Sequence, residues 1–188
     1  MRIKYPVVLA SQSPRRQELL KALVPEFTID VPDVDEDALT LSDPAQTAQR
    51  LAKEKALVVF ERHPDSLVIA GDTVVCLDNT QLAKPVDQAD ACRMLGLLSG
   101  RTHTVITGLA LRWPGGLIAI TDSTEVTFRT LSASEIEDYV ATGEPMDKAG
   151  AYGIQAGGGT FIESVKGSVN NVIGLPTEKL QEALQQVK

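Results

Sequence analysis

Cysteine, histidine and aromatic residues are scarce in this sequence of 188 residues. The two cysteines, Cys76 and Cys92, are too few for the disulfide framework of a small secreted protein, so we expect free thiols in a reducing cytoplasm. The two histidines, His63 and His103, lack a pattern of zinc ligands around them. Zinc coordination and Ser-His-Asp catalysis are therefore poorly supported, and we interpret both histidines as structural.

Positive charge and long apolar runs are also lacking. The chain has 18 Lys and Arg residues against 25 Asp and Glu residues, which gives a net charge of −7. General nucleic-acid binding needs a basic surface, so we expect no nucleic-acid polymer as a partner. No apolar run approaches the roughly 20 residues that span a bilayer, and residues 1–6 lack a signal-peptide core. We expect a soluble cytoplasmic protein with no membrane partner.

Hydrophobic residues make up 43% of the chain, enough for the core of a single domain over residues 1–188. Strand-like and helical patterns alternate and are followed by hairpin signals, so we expect an α/β protein with a mixed sheet. The predicted strands are residues 7–10, 27–31, 67–77, 81–85, 102–111, 117–128, 161–166 and 169–173. The predicted helices begin at Pro14 and Pro44 and after caps at Asp87, Ser132 and Thr177. The acidic run at residues 33–37 is typical of a solvated loop.

Residues 9–20 pass from an apolar strand through a polar turn into a helix that opens on two arginines. Ser13 suits the N-cap and Pro14 the first helical position, so free backbone N–H groups converge there with Arg15 and Arg16. An ordinary capped helix with solvated arginines is the alternative. Neighbouring helical residues point about 100° apart, so one exposed stripe does not accommodate both arginines easily. We interpret the segment as a phosphate site.

The most apolar run, residues 67–77, carries one carboxylate at its centre. An ionised Asp72 in a buried strand costs several kcal/mol unless it is paired or binds a metal. The neighbouring Gly71 indicates close approach by another part of the molecule. Asp72 is therefore a candidate catalytic residue.

Three further charged residues are candidates. Lys55 interrupts the apolar stripe of its helix, so its ammonium group either reaches the helix edge or points into a cleft. Lys84 follows a hairpin that returns alongside the Asp72 strand, although it also fits a surface lysine before a proline. Glu36 is kept because phosphate chemistry needs carboxylates that hold a metal.

Residues 144–159 contain too many glycines for a helix and too few branched residues for a strand. A flexible linker is the alternative, but linkers rarely combine Met, Tyr and Ile. We interpret the segment as a ligand-binding loop in which Asp147, Lys148, Tyr152 and Gln155 supply polar contacts.

Several cations around one shielded carboxylate predict metal-assisted phosphate chemistry on a small anionic substrate. In this interpretation Arg15, Arg16, Lys55 and Lys84 neutralise a polyphosphate, and Asp72 and Glu36 hold a divalent metal. No Walker-type loop or kinase signature is present, so spacing alone leaves hydrolysis and phosphoryl transfer both open.

Six short segments are informative as a set: residues 10–16, 35–36, 52–56, 71–75, 84–85 and 99–103. Together they resemble the Maf family of nucleoside triphosphate pyrophosphatases, and the resemblance extends from residue 9 to residues 174–176. It implies a Maf/ITPase-like α/β fold with a long twisted mixed sheet, flanking helices and two lobes around a central cleft. A homodimer is also implied.

The activity implied is hydrolysis between the α- and β-phosphates, which releases a nucleoside monophosphate and pyrophosphate with Mg or Mn as cofactor. In the family pattern phosphates bind Arg15, Arg16, Lys55 and Lys84, whereas Glu36 and Asp72 serve the metal and the water, with Asp72 as base. Ser11, Ser13 and Thr73 lie in the matching motifs as substrate-binding residues, and Gln155 lines the site.

Residues 147–155 resemble the branch that acts on dTTP and UTP rather than the branch that prefers 7-methyl-GTP. The role implied is removal of modified pyrimidine nucleotides. The alternative is a nucleotide-binding regulator of cell division and septum formation without turnover. The acidic residues favour the enzyme, because a carboxylate repels phosphate unless a metal intervenes.

Overall fold

The computed structural model describes residues 3–188, in which seven strands form one mixed sheet. The strand order is β2-β1-β3-β5-β6-β7, and β4 pairs with β3 off this path. β1 is parallel to β2 and β3, and the remaining pairs are antiparallel. The strands are β1 (Val7–Leu9), β2 (Thr28–Ile29), β3 (Leu67–Leu77), β4 (Thr80–Leu82), β5 (Thr102–Trp113), β6 (Gly116–Phe128) and β7 (Ile162–Lys166). The predicted α/β class with a mixed sheet is confirmed.

Seven α-helices within the described residues surround the sheet, and none of them is both long and apolar enough to cross a membrane. They are α1 (Pro14–Leu23), α2 (Glu36–Leu39), α3 (Pro44–Arg62), α4 (Gln88–Leu98), α5 (Ala133–Ala141), α6 (Val169–Ile173) and α7 (Thr177–Leu184). Short 3-10 turns lie at Glu144–Asp147, Ala149–Ala151 and Gly157–Phe161. The predicted caps Ser13, Asp43, Asp87 and Ser132 all accept backbone hydrogen bonds at their helix starts.

Three local predictions are wrong. The predicted strand at Val169–Ile173 is helix α6, because Ser168 caps its start and Gly174, at φ +128°, ends it. Thr177 does not cap α7; it is the first helical residue, and its hydroxyl accepts a hydrogen bond from Asn170 instead. The acidic segment 33–37 is not entirely loop, because Asp35 caps the short helix α2.

Two large apolar clusters lie at opposite ends of the long strands. One packs α1 and α7 against β1 and the start of β3, around Leu20, Ile69 and Leu180. The other packs α4, α5 and the 3-10 turns against the far end of β3 and β5, around Leu95 and Phe128. The two clusters form the cores of two halves that share one sheet.

Between the two halves the edge of β3 is open. β1 pairs with β3 only as far as Ile69, and β4 pairs with it only from Val75 onwards. No strand of the described chain covers residues 70–74 of β3 on this side, and we call this opening the β3 gap. Asp72 lies at its centre. Groups from both faces of the sheet can reach one ligand there.

Gly108 brings α3 onto the sheet directly beside this gap. It pairs with Asp72 across β3 and β5, and a Cβ on Gly108 would lie 2.0 Å from the Ala48 carbonyl oxygen of α3. A side chain of any size on this β5 residue would therefore push α3 away from the sheet. Lys55 lies on the same helix, two turns beyond Ala48.

We expect Gly108→Ala to lower the free energy of unfolding by about 1–3 kcal/mol, because the added methyl group overlaps backbone rather than a movable side chain. Urea denaturation measures this change. The matched control is Gly96→Ala in α4, where a Cβ would meet nothing within 4 Å; it should stabilise by about 0.5–1 kcal/mol. Equal stability of the two variants would contradict the packing described here.

Candidate active site

Lys55 lies between two carboxylates at the β3 gap. Its Nζ donates to Asp72 Oδ1 and to Glu36 Oε1, both at 2.6 Å. The side chains of Lys55 and Asp72 are each 11% exposed, whereas that of Glu36 is 55% exposed. The sequence leaves open whether the Lys55 ammonium group reaches the helix edge or points into a cleft, and in the structure it points into the cleft. The pairing required of a buried Asp72 is supplied by this ammonium group.

The pKa values of the Asp72 and Glu36 carboxyl groups shift in opposite directions because their surroundings differ. Burial raises the pKa of Asp72 above its usual value, although Lys55 and Arg16 oppose that shift. Burial acts to raise the pKa of Glu36 as well, but Lys55, Lys84 and Arg16 outweigh it and lower the pKa overall. Asp72 is thus the better proton acceptor near neutral pH, and Glu36 the more firmly ionised group.

The connection between α2 and α3 holds Glu36 over the gap. The Thr47 hydroxyl donates to the Leu41 carbonyl oxygen at 3.0 Å and accepts from the Leu41 N–H at 2.9 Å. Gln81 of β4 donates to the same carbonyl oxygen at 2.6 Å. The segment that carries Glu36 is therefore tied both to α3 and to the strand that precedes Lys84.

Arg16 approaches the gap from the opposite face of the sheet. Its Nε donates to the Gly174 carbonyl oxygen at 2.7 Å, and its Nη2 donates to Thr73 Oγ1 at 3.0 Å. A Cβ on Gly71 would lie 3.2 Å from Arg16 Nε, so the close approach expected at Gly71 is confirmed. Burial lowers the pKa of Arg16 from a value far above neutrality, and the Asp72 charge opposes this. The guanidinium group is fixed and remains cationic.

The turn before α1 supports the same guanidinium group. Ser11 Oγ accepts from the Ser13 N–H at 3.2 Å and from Arg16 Nη1 at 3.4 Å. Ser13 Oγ caps the helix by accepting from the Arg16 N–H. Arg15 points towards the loop instead: its charge helps to lower the pKa of Asp147, after the larger effect of Lys148.

Backbone groups of β3 also face the gap. The Leu67 N–H donates to Pro6, and the Ile69 carbonyl oxygen accepts from Ala10, so odd-numbered residues direct their backbone groups to this side. The N–H groups of Gly71 and Thr73 consequently face the gap, where no strand of the described chain pairs with them. They belong to the unpaired edge of β3, where Gly71 is buried and Thr73 is half-buried.

The loop at residues 144–159 is held by internal contacts rather than by a regular element. Tyr139 of α5 donates its hydroxyl hydrogen to Glu144 at 2.7 Å and accepts from the Gly153 N–H at 3.1 Å. Lys148 Nζ donates to the Glu144 carbonyl oxygen at 2.6 Å and to Asp147 at 2.8 Å. Asp147 and Gln155 are exposed. These hydrogen bonds brace the loop, and its ligand contacts stay a prediction.

Tyr152 differs from the other loop candidates because it is buried. Its ring packs edge-on against His103 and Phe128, and its hydroxyl oxygen lies 2.7 Å from His103 Nε2. Tyr152 therefore anchors the loop to the apolar core, and its predicted contact with substrate stays a prediction. His103 is buried, in agreement with the structural role expected for it, and His63 pairs with Asp30 outside the site. Cys76 and Cys92 are free thiols, as expected.

The structure thus brings Lys55, Asp72, Glu36 and Arg16 together, with Lys84 near enough for its charge to act on Glu36. Sequence reasoning missed Gly174, whose carbonyl oxygen anchors Arg16 from 158 positions away. It also missed Thr107 and the fully buried Asn171. The sequence carries no local signal for these roles, because each depends on a contact with a residue far along the chain.

The free carboxylate oxygens at the β3 gap have the chemistry of metal donors. In the described part of the chain, Asp72 and Glu36 each use one oxygen in a hydrogen bond, and the second oxygen of each makes none. No group of three or more His, Cys, Asp or Glu side chains there could hold a metal. Mg²⁺ commonly binds through one or two carboxylates together with substrate phosphates and water, so two carboxylates suffice.

Fold and site together define an α/β protein whose open sheet edge forms a cationic cleft around a buried carboxylate. The chain belongs to the family described as Maf-like protein, whose model matches residues 6–187. The predicted membership is confirmed.

Similar proteins match nearly the whole chain. The dTTP/UTP pyrophosphatase of Symbiobacterium thermophilum is 47% identical over 180 residues, which cover 96% of this chain and 93% of that protein. The protein of the same name from Aquifex aeolicus is 44% identical over 96% of this chain and 95% of its own length. Among solved structures, a HAM1 protein from Coxiella burnetii has a TM-score of 0.51 at 16% identity, covering 97% of this chain and 99% of that chain. This last likeness shows the fold.

His103 makes folding stability depend on pH. Burial lowers its pKa from 6.5 to about 4, so the unfolded state binds a proton between these values and the folded state does not. Stability is therefore lost as pH falls, by about 2 kcal/mol between pH 7 and pH 5. Urea denaturation at both pH values, with wild type and His103→Gln, measures this contribution. The variant should lose less stability on acidification; identical losses would show that His103 is not buried in its neutral form.

Proposed function

We propose that this protein hydrolyses dTTP, UTP and modified pyrimidine nucleoside triphosphates at the α–β phosphate bond, releasing a nucleoside monophosphate and pyrophosphate. The observation that carries the proposal is the buried Asp72 at the centre of the β3 gap, paired with Lys55 and faced by Arg16. The relatives named dTTP/UTP pyrophosphatase support this substrate and reaction.

The cations of the site bind the triphosphate. Arg16 is held by Gly174 and Thr73 before substrate arrives, so little side-chain entropy is lost when it binds a phosphate. Lys55 and Lys84 add charge beside Glu36, and Arg15 adds charge on the side of the loop at residues 144–159. Because the whole chain carries a net charge of −7, this local concentration of cations favours a small polyphosphate over a polymer.

Asp72 accepts the proton of the attacking water. Burial raises its pKa before metal and substrate bind, which makes it a stronger proton acceptor than an exposed carboxylate. Lys55 Nζ, 2.6 Å from Oδ1, keeps the carboxylate oriented. Ser11, Ser13 and Thr73 lie beside Arg16 and bind on the phosphate side of the substrate. Asp147, Lys148, Tyr152 and Gln155 belong to the loop that selects the nucleobase.

Asp72 and Glu36 would hold the divalent cation, Mg or Mn. When bound, such a cation would supply neutralisation of the charge on the phosphate oxygens. The chain's own part is to present two carboxylate oxygens that no described residue occupies. We also propose that the protein acts in the cytoplasm as a homodimer.

Asp72→Asn should lower kcat by about 10²–10⁴, the usual contribution of a general base. The assay supplies a panel of nucleoside triphosphates with Mg or Mn and measures pyrophosphate and orthophosphate separately. Asp65→Asn, at an exposed site before β3, is the control and should keep full activity. Release of orthophosphate alone would refute cleavage at the α–β bond. Nucleotide binding without turnover by the wild type would instead favour a regulator.

The metal should bind together with the nucleotide rather than before it, because only two carboxylates contribute and Lys55 occupies one oxygen of each. EDTA should abolish turnover, and Mg should restore it. In thermal unfolding, Mg alone should leave Tm almost unchanged, whereas Mg with nucleotide should raise it. A large rise in Tm with Mg alone, abolished in Asp72→Asn, would indicate a metal site formed by the protein without substrate.

A further inference from the structure

A chain of hydrogen bonds runs from Arg16 into the interior of the sheet. Arg16 Nη2 donates to Thr73 Oγ1 at 3.0 Å, and Thr73 Oγ1 lies 2.9 Å from Thr107 Oγ1. Thr107 in turn donates to the Asn171 carbonyl oxygen at 2.9 Å. Thr73 and Thr107 are direct neighbours on β3 and β5, and Thr107 has no exposed surface.

The direction of each bond in this chain is determined. Thr107 has one hydroxyl hydrogen, and the Asn171 carbonyl can only accept it, so Thr107 must be the acceptor in its contact with Thr73. Thr73 then donates inwards, and its lone pairs are left for Arg16. A chain of this kind is polarised by the guanidinium charge, which strengthens each bond.

The hydrogen bond from Thr107 to the Asn171 carbonyl oxygen also supports Arg16 through helix α6. Helix α6, which contains Asn171, ends at Gly174, and the Gly174 carbonyl oxygen accepts from Arg16 Nε at 2.7 Å. Asn171 also donates from Nδ2 to the Val105 carbonyl oxygen and to Thr124, both at 3.0 Å. The Thr107 hydroxyl therefore joins β5 to the helix that holds the other side of the guanidinium group.

We propose that Thr107 is a positioning residue whose hydroxyl holds Arg16 in its phosphate-binding orientation and so sets the affinity for polyphosphate. The inference rests on the proposed function, in which Arg16 binds phosphate. Without the Thr107 hydroxyl, the Thr73 hydroxyl loses its acceptor and rotates freely. The Asn171 carbonyl oxygen also loses a hydrogen-bond donor. Arg16 is then held less firmly at both nitrogens, and binding is weakened in ground and transition states alike.

The experiment compares Thr107→Val, which keeps the shape and loses the hydroxyl, with Thr107→Ser, which keeps the hydroxyl and loses a methyl group. Kd is measured for dTTP and for inorganic tripolyphosphate, and KM and kcat are measured for dTTP. We expect Thr107→Val to raise Kd and KM about 5- to 10-fold and to leave kcat within about 2-fold. Thr107→Ser should bind within about 2-fold of wild type. Both probes should respond equally because Arg16 contacts phosphate.

A packing role alone would reverse this order, because Val fills the site of Thr better than Ser does. Binding by Thr107→Val equal to wild type, or weaker binding by Thr107→Ser than by Thr107→Val, would overturn the inference. Thr102→Val is the control: Thr102 makes the same hydroxyl contact, at 2.8 Å to Thr127, at the exposed end of the same strand pair. It should leave Kd unchanged.

The two proposals fail in different ways. If wild type binds tripolyphosphate but does not hydrolyse dTTP, the proposed function fails, and the ranking of variants on tripolyphosphate still decides the role of Thr107. If wild type binds neither probe, both fail. If Thr107→Val does not fold, Thr107→Ala replaces it, because Ala differs from Ser only in the hydroxyl and should bind about 5- to 10-fold more weakly than Thr107→Ser.

Discussion

The ion pairs that Lys55 makes with Asp72 and Glu36 constrain the rest of the structure. An ionised carboxylate in the central strand would cost several kcal/mol without a partner, and its ammonium partner must come from a different element. Helix α3 supplies it, and the helix must therefore lie directly on the sheet. Gly108 makes that approach possible because it presents no side chain beneath the Ala48 carbonyl.

The opening in the edge of β3 turns this buried pair into a site. β1 ends too early and β4 begins too late to cover residues 70–74. Asp72 and Lys55 reach the opening from the face covered by α3, and Arg16 reaches it from the face covered by α1. Because successive side chains of β3 point to opposite faces, Asp72 meets Lys55 of α3 on one face and Thr73 meets Arg16 of α1 on the other, so an acid and cations surround one opening.

Much of the fold and of the site could be predicted from local pattern. Asp72 was recognisable because a lone carboxylate in an apolar strand needs a partner, and the α1 start because Ser-Pro-Arg-Arg combines a cap with two cations. The α6 segment was mistaken for a strand because five residues carry too little periodicity to distinguish the two states, and Ser168 and Gly174 decided the matter. Thr107 and Asn171 could not be found, because their roles depend on contacts 64 positions apart.

The sequence by itself determined the chemistry that is available: which residues are acidic or basic, where four of the helix caps lie, that residues 67–77 are a buried strand, and which family the chain resembles. These properties depend on neighbours within a few positions, so they can be read along the chain. Only the tertiary structure decided that Lys55 points into the cleft, that Tyr152 lies beneath its loop and that Gly174 anchors Arg16. Each of these depends on the distance between atoms far apart in sequence, and packing of the two halves on one shared sheet sets that distance.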